Sequence, residues 1–167
     1  VTTSRPFLLD SNVFIEAHRR YYAFDIAPLF WMALIDNAKK GRVLSIDRVF
    51  EVELKRGKDE LATWASGSFH EFFASTNDEE VTDAYRKIMV WSQGQAQFTE
   101  AAKAEFASVP DSWLVAYALA KGCIVVTHEQ FSPNAKARIK IPNACKAFGV
   151  EYVDTFQMMR TLRVKLG

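Results

Sequence analysis

A chain of 167 residues, 49% of them hydrophobic, carries enough apolar side chain for one packed domain and is too apolar for a disordered or collagen-like polymer. A formal net charge of +1 excludes nucleic-acid binding through bulk basicity, so any such contact needs a local patch: Arg19-Arg20, Lys136 to Lys140, or Arg160 to Lys165. The two cysteines, Cys123 and Cys145, lack metal or redox spacing, and no run reaches the ~18 apolar residues of a membrane span or has the form of a signal peptide. A reduced, cytoplasmic protein is the expectation.

In chain order, Phe7-Leu8-Leu9 is a short apolar run closed by Asp10, Ser11 and Asn12. It reads as a buried parallel strand that turns at once into a helix over Asn12 to Tyr22. Pro28 suits the first turn of a second helix through Asn37, stopped by Gly41. Ser45 reads as the N-cap of a third, Ile46 to Arg56, and Asp59 to Ala65 forms a fourth. Phe69 to Ala74 is apolar enough for a short strand, with a helical turn as the alternative. Thr76 followed by Glu79 has the capping-box spacing, which predicts a long helix from Asn77 to Trp91. Thr99 to Phe106 supplies another helix, and Pro110 introduces an apolar one, Asp111 to Lys121, closed by Gly122. Ile124-Val125-Val126 is a second buried strand, followed by a loop from His128 to Lys140. Pro142 opens a small helix ended by Gly149. Glu151 to Val153 reads as an edge strand, and Asp154 or Thr155 caps a last helix. Strands alternating with helices predict an α/β fold: a three-layer α/β/α sandwich with a small, mainly parallel sheet, in one domain spanning 1–167.

Four acids fall where such a sheet places ligands, in the crevice beyond the carboxyl ends of its strands. Asp10 ends the first strand, and the competing reading is that Asp10 or Ser11 caps the next helix. Glu53 follows Ile46, Val49 and Phe50 at the spacing of one helix face, whereas Glu51 falls with Asp47 on the polar side. A carboxylate on a core-facing stripe is costly without a partner, unless its head reaches water at the stripe's edge. Asp111 shares a face with Leu114, Val115 and Ala118, either at a buried helix tip or as a charge favourable to the helix dipole. Glu129 lies two residues past Thr127 and the second buried strand, repeating the arrangement at Asp10; the alternative is an exposed loop acid. Oxygen donors alone favour Mg²⁺ or Mn²⁺ over zinc, and carboxylates crowded together raise one another's pKa unless a cation neutralises them.

The stretches Leu8-Leu9-Asp10-Ser11-Asn12-Val13-Phe14-Ile15, the acid of the 46–56 segment, Asp111-Ser112-Trp113-Leu114-Val115-Ala116-Tyr117-Ala118 and Val125-Val126-Thr127-His128-Glu129 resemble, in order, the successive signatures of PIN domains. The chain looks especially similar to a less-studied bacterial and archaeal PIN-like branch related to VapC toxins. The resemblance implies cleavage of RNA dependent on Mg²⁺ or Mn²⁺. It implies an acidic metal pocket of Asp10, Glu53, Asp111 and Glu129, supported through hydrogen bonds by Asn12 and Thr127. It departs from the family where Glu129 replaces the usual Asp and where Phe131-Ser132 occupies the place of a further acid; whether Glu129 touches the metal or a water beside it stays open. Lys136, Arg138 and Lys140, on the loop after Glu129, are candidates for a basic RNA-binding rim. Toxin-like relatives imply an antitoxin-like protein inhibitor, and a homodimer is left open. The alternative is a catalytically silent module of the same type that binds RNA or protein. No glycine-rich nucleotide motif and no Ser/His/Asp arrangement supports another chemistry.

Overall fold

The short apolar runs form strands: Phe7–Leu9 (β1), Ile124–Val126 (β4) and Tyr152–Val153 (β5). Two more, Val43–Ile46 (β2) and Phe73–Ala74 (β3), complete a five-stranded sheet of order β3-β2-β1-β4-β5, parallel at every pairing. This computed structural model describes residues 5–167. Its helices flank the sheet in a three-layer α/β/α arrangement. They are Ser11–Glu16 (α1), Pro28–Lys39 (α2), Glu60–Gly67 (α3), Glu79–Gln93 (α4), Glu100–Ser108 (α5), Pro110–Lys121 (α6), Ile141–Phe148 (α7) and Thr155–Thr161 (α8). A π-helical stretch, Ala17–Tyr21, continues α1, and another, Val49–Leu54, follows β2.

The sequence reading goes wrong around Ser45. That residue is buried in β2 and is not a helix cap. Its hydroxyl donates to the Leu9 carbonyl at 2.7 Å, which satisfies a small polar group inside the sheet. The helix predicted from Ile46 therefore starts later, and the strand it concealed is the partner of β1. The predicted capping box also fails. Asp78, not Thr76, accepts the Val81 N–H and caps α4, while Thr76 is buried against Asp47. The 69–74 run splits into a turn of 3₁₀ helix at His70–Phe72 and then β3. Asp59, Thr99 and Asp154 cap the helices that follow them, and Gly122 and Gly149 close α6 and α7 at φ of 72° and 67°, where a side chain would be strained.

Two helical groups hold the sheet. Beside α1, the rings of Phe14, Trp64, Phe69 and Phe73 pack tilted, edge to face or stacked, with Trp64 and Phe69 at 5.1 Å between centroids. Such pairs add about 0.5–1.5 kcal/mol each beyond their burial. Elsewhere α4 packs along α6, and Tyr85 stacks on Trp113 at 3.9 Å. Arg48 lies over the same Trp113 ring at 3.9 Å, tying the end of β2 to the first turns of α6. That stack fixes the helix that carries Asp111.

Chain order runs outward from β1 to β2 and β3 on one side and from β4 to β5 on the other. The direction reverses between β1 and β4, and in open α/β sheets the crevice at that reversal is where ligands bind.

Candidate functional site

Asp10 and Thr127 stand side by side at this reversal. Leu9 pairs with Val126, the Asp10 N–H donates to the Val126 carbonyl at 3.0 Å, and the Thr127 N–H donates to Val153 at 3.0 Å. The sheet itself therefore fixes both residues. Asp10 precedes α1 with extended backbone, yet its carboxylate makes no capping hydrogen bond, so the capping reading does not hold. The side chain is turned inward and is 2% exposed.

A chain of polar contacts runs outward from it. The Ser11 hydroxyl lies 3.3 Å from Asp10 Oδ1 and 3.0 Å from Glu53 Oε2, so one proton is shared between two carboxylates. The Thr127 hydroxyl donates to Asp10 Oδ2 at 3.2 Å and accepts the Glu129 N–H at 3.1 Å. An Nη of Arg138 lies 3.5 Å from Asp111 Oδ2 and 3.3 Å from Glu129 Oε2. The fold thus brings the four acids named from the sequence within electrostatic reach of one another, close enough to raise the pKa of Asp10 and Asp111. Glu51, by contrast, is exposed and pairs with Lys55. The π-helical turn carries Glu53 toward Ser11 while Val49, Phe50 and Leu54 go into the core. A widened turn of this kind inside a helix often re-aims a functional side chain.

The electrostatics are strained in one direction. Burial pushes the Asp10 carboxyl up to about 8, with Asp111, Glu129 and Glu53 adding to the rise and the Thr127 hydroxyl opposing it. Asp111 rises to about 7, first through burial and then through Glu129, with Arg138 pulling the other way. Glu129 is raised chiefly by burial, against Arg138 and Lys140. Its side chain is 10% exposed, and neither carboxylate oxygen has a donor at hydrogen-bonding geometry among the described residues. The Ile141 N–H at the start of α7 favours the charged form.

Other candidates fall differently. Asn12 lies one position round α1 from Ser11 and makes no side-chain hydrogen bond with the described residues; Ser11, read from the sequence only as a cap, takes the bridging place. Arg138 is not part of an outer rim: it reaches into the mouth of the pocket across two acids. Nothing in its sequence neighbourhood signals this beyond its sharing a loop with Glu129. Lys136 is exposed, and Lys140 is half-buried at the cap of α7.

All donors are carboxylate or hydroxyl oxygens, and Glu129, 10% exposed, has Arg138 beside it at 3.3 Å but no donor at hydrogen-bonding geometry among the described residues. That set fits a hard divalent cation such as Mg²⁺ or Mn²⁺ and not zinc. Among the described residues no three His, Cys, Asp or Glu side chains converge at formed metal-ligand spacing; Arg138 spans two of the acids instead.

A family model described as Domain of unknown function (DUF4411) matches residues 7–166, and the chain belongs to that family. No curated protein matches it. Among the described residues, no helix is long and apolar enough to cross a membrane.

Proposed function

We propose that this member of the family is a divalent-metal-dependent endoribonuclease of PIN type, hydrolysing phosphodiester bonds of single-stranded RNA. One observation carries the reading. Four carboxylates, Asp10, Glu53, Asp111 and Glu129, lie within electrostatic reach of one another at the β1/β4 reversal, and buried Glu129 is ion-paired with Arg138 at 3.3 Å but has no donor at hydrogen-bonding geometry among the described residues. Anions held so incompletely are costly in a fold that needs only stability. They suit a site completed by a cation.

In this reading Asp10 and Asp111 would hold Mg²⁺ or Mn²⁺, with Glu53 and Glu129 as the flanking donors. The bound cation would acidify an attacking water and neutralise charge on the phosphate. Thr127 fixes the rotation of the Asp10 carboxylate, and Ser11 links it to Glu53, so both acids are oriented before substrate arrives. Arg138 sits at the mouth, where its guanidinium can exchange a carboxylate for a phosphate oxygen of the substrate. Lys136 and Lys140, on the same loop, would add charge to the approach. The site's resemblance to toxin-like nucleases further suggests a cytoplasmic protein checked by an antitoxin-like inhibitor that covers the acids, and a homodimer fits the same type.

The test is cleavage of a labelled, unstructured RNA by chelator-stripped protein. Mn²⁺ or Mg²⁺ should support turnover, and Ca²⁺ should support little, because its looser coordination positions water poorly. Full activity in chelator would refute the proposal. The position of Arg138 across Asp111 and Glu129 favours a second reading, a silent RNA- or protein-binding module with its pocket closed by an internal cation. RNA binding without cleavage under every divalent ion would decide for it.

A further inference from the structure

Beside the acid pocket, beyond the ends of β4 and β5, lies a second cavity of about 370 Å³. Thr127 and Glu129 form part of its wall, so it opens directly from the acidic site. Its other walls carry Phe131, Tyr152 and Phe156, with the side-chain amides of Gln130 and Gln157. We propose that this cavity is a nucleobase subsite, which takes one unpaired base of single-stranded RNA next to the phosphate presented to the acids. The proposal rests on the nuclease reading for the identity of the polymer.

Three features carry it. The large apolar side chains left exposed among the described residues include three aromatic ones, Tyr21, Phe131 and Phe156, at 53%, 37% and 41% exposure. All three gather here: Phe131 and Phe156 line the cavity, and Tyr21 meets Phe156 edge to face at 6.3 Å. The other aromatic rings are buried or partly buried, and flat rings open to solvent beside a polar cleft are what unpaired bases stack on.

The second feature is the distribution of charge. The lining holds two carboxylates, Glu129 and Asp154, and one imidazole, His128, which is hydrogen-bonded to the Thr155 hydroxyl, and the described lining contains no Lys or Arg. A phosphate would be repelled there, whereas a neutral heterocycle would not. The cations lie outside it: Lys146 sits 4.3 Å over the Phe131 ring, and Arg19 and Arg20 precede Tyr21. They suit the phosphates on either side of a base that has turned inward.

The third feature is size and edge chemistry. The volume lies at the small end of the ~300–1,000 Å³ common for ligand clefts, which fits a single nucleoside and not a run of stacked bases. Gln130 and Gln157 each offer donors and an acceptor, the groups that pair with a base edge.

The test is fluorescence anisotropy of a labelled seven-nucleotide RNA, measured in Ca²⁺ so that binding is read without turnover. One abasic nucleotide is walked through the sequence. For wild-type protein, one abasic position should weaken binding about tenfold, the scale of a lost base–aromatic stack. Phe156→Ala should weaken binding of the parent RNA by a similar factor and be insensitive to that abasic position, and Phe156→Trp should restore both. Because Phe156 is only partly covered, at 41% exposure, the alanine variant should stay folded and melt within a few °C of wild type.

The subsite is overturned if every abasic RNA binds like the parent, or if Phe156→Ala binds RNA as wild type does. It is equally overturned if Phe156→Ala leaves RNA binding intact and disrupts only association with a protein. Cleavage in Mn²⁺, run in parallel, separates the two proposals. Base-dependent binding without cleavage removes the nuclease and keeps the subsite; cleavage without base dependence does the opposite.

Discussion

Asp10 and Asp47 stand in equivalent places, one just past β1 and the other just past its neighbour β2, and the fold provides for them in opposite ways. Asp47 Oδ1 accepts from the Thr76 hydroxyl at 2.9 Å and the Arg48 N–H at 2.8 Å, and its Oδ2 accepts the Thr76 N–H at 3.0 Å. Arg48 completes the cluster through the Thr76 hydroxyl and the Trp113 ring. This carboxylate is a fastener for the β3–α4 connection. Asp10 receives only two hydroxyls, one of them shared with Glu53, while other acids crowd it. The difference teaches how to read a carboxylate at a strand end. It is structural when backbone N–H groups satisfy it, and a candidate for cation binding when the fold surrounds it with further anions.

The largest expected effects lie in activity. Asp10→Asn or Asp111→Asn should abolish metal-supported cleavage, since each keeps the side-chain shape but removes a charge the cation needs. Asp47→Ala should cleave at close to the wild-type rate below its melting temperature. Single-turnover assays on the three variants check this, and a cleaving Asp10→Asn would break the distinction.

Stability should separate the pair the other way. Losing Asp47 leaves the Thr76 N–H and hydroxyl short of an acceptor in a partly buried site, which costs about 1–3 kcal/mol. The melting temperature should fall by about 2–4 °C per kcal/mol in a chain of this size. In chelator at neutral pH, Asp10→Asn should instead melt as wild type does or higher, because the buried Asp10 carboxyl must take up a proton on folding whereas Asn need not. Thermal melts of both variants in chelator are the check; a destabilised Asp10→Asn would mean that Asp10 holds the fold together.

How much of this was legible in the sequence follows from what the signals respond to. Phe7–Leu9 and Ile124–Val126 are apolar throughout, so the strands at the reversal, and the acids just beyond them, stand out. Glu53 is legible through a helical face although Ile46 belongs to β2, because Val49 and Phe50 point the same segment inward. Ser45 misled because a serine before an apolar run looks like a cap, and only the Leu9 carbonyl across the sheet shows otherwise. Thr76 misled in the same way: its true partner, Asp47, is 29 positions away. Arg138 carries no local pattern that could disclose its place between two acids. Long-range polar pairing, not periodicity, decides each of these, and the same holds for the aromatic rim formed by Tyr21, Phe131 and Phe156.

The pH dependence sharpens the contrast further. Without metal, Asp10 and Asp111 are pushed up to about 8 and about 7, above the ~4 of an unfolded aspartate. The folded protein therefore holds more protons than the unfolded chain between these limits, and stability drawn from these groups falls as pH rises from about 4 to about 8. In chelator, the melting temperature of Asp10→Asn relative to wild type should climb from pH 5 to pH 8. A difference flat across that range would show that the carboxyl is not held protonated by its surroundings.

The smallest effects belong to the basic side chains. Arg138→Gln should lower apo stability by a few tenths of a kcal/mol, since the guanidinium is half-exposed and its pairing is screened. It should also let Mn²⁺ bind a few-fold more tightly, because no internal cation competes for Asp111 and Glu129; a metal titration of the variant measures this. Reversing Lys136 and Lys140 to Glu should flatten the salt dependence of RNA binding by about one unit of slope per lost phosphate contact. An unchanged slope would assign both lysines to plain surface.

The central claim is that the crowded acids, and not Asp47, await a cation. Calorimetric titration of Mn²⁺ into chelator-stripped wild type, Asp10→Asn and Asp47→Ala addresses it without any substrate. The expected result is binding by wild type and by Asp47→Ala, and binding weaker by tenfold or more in Asp10→Asn. Equal affinity in all three, or no binding by wild type, would contradict it.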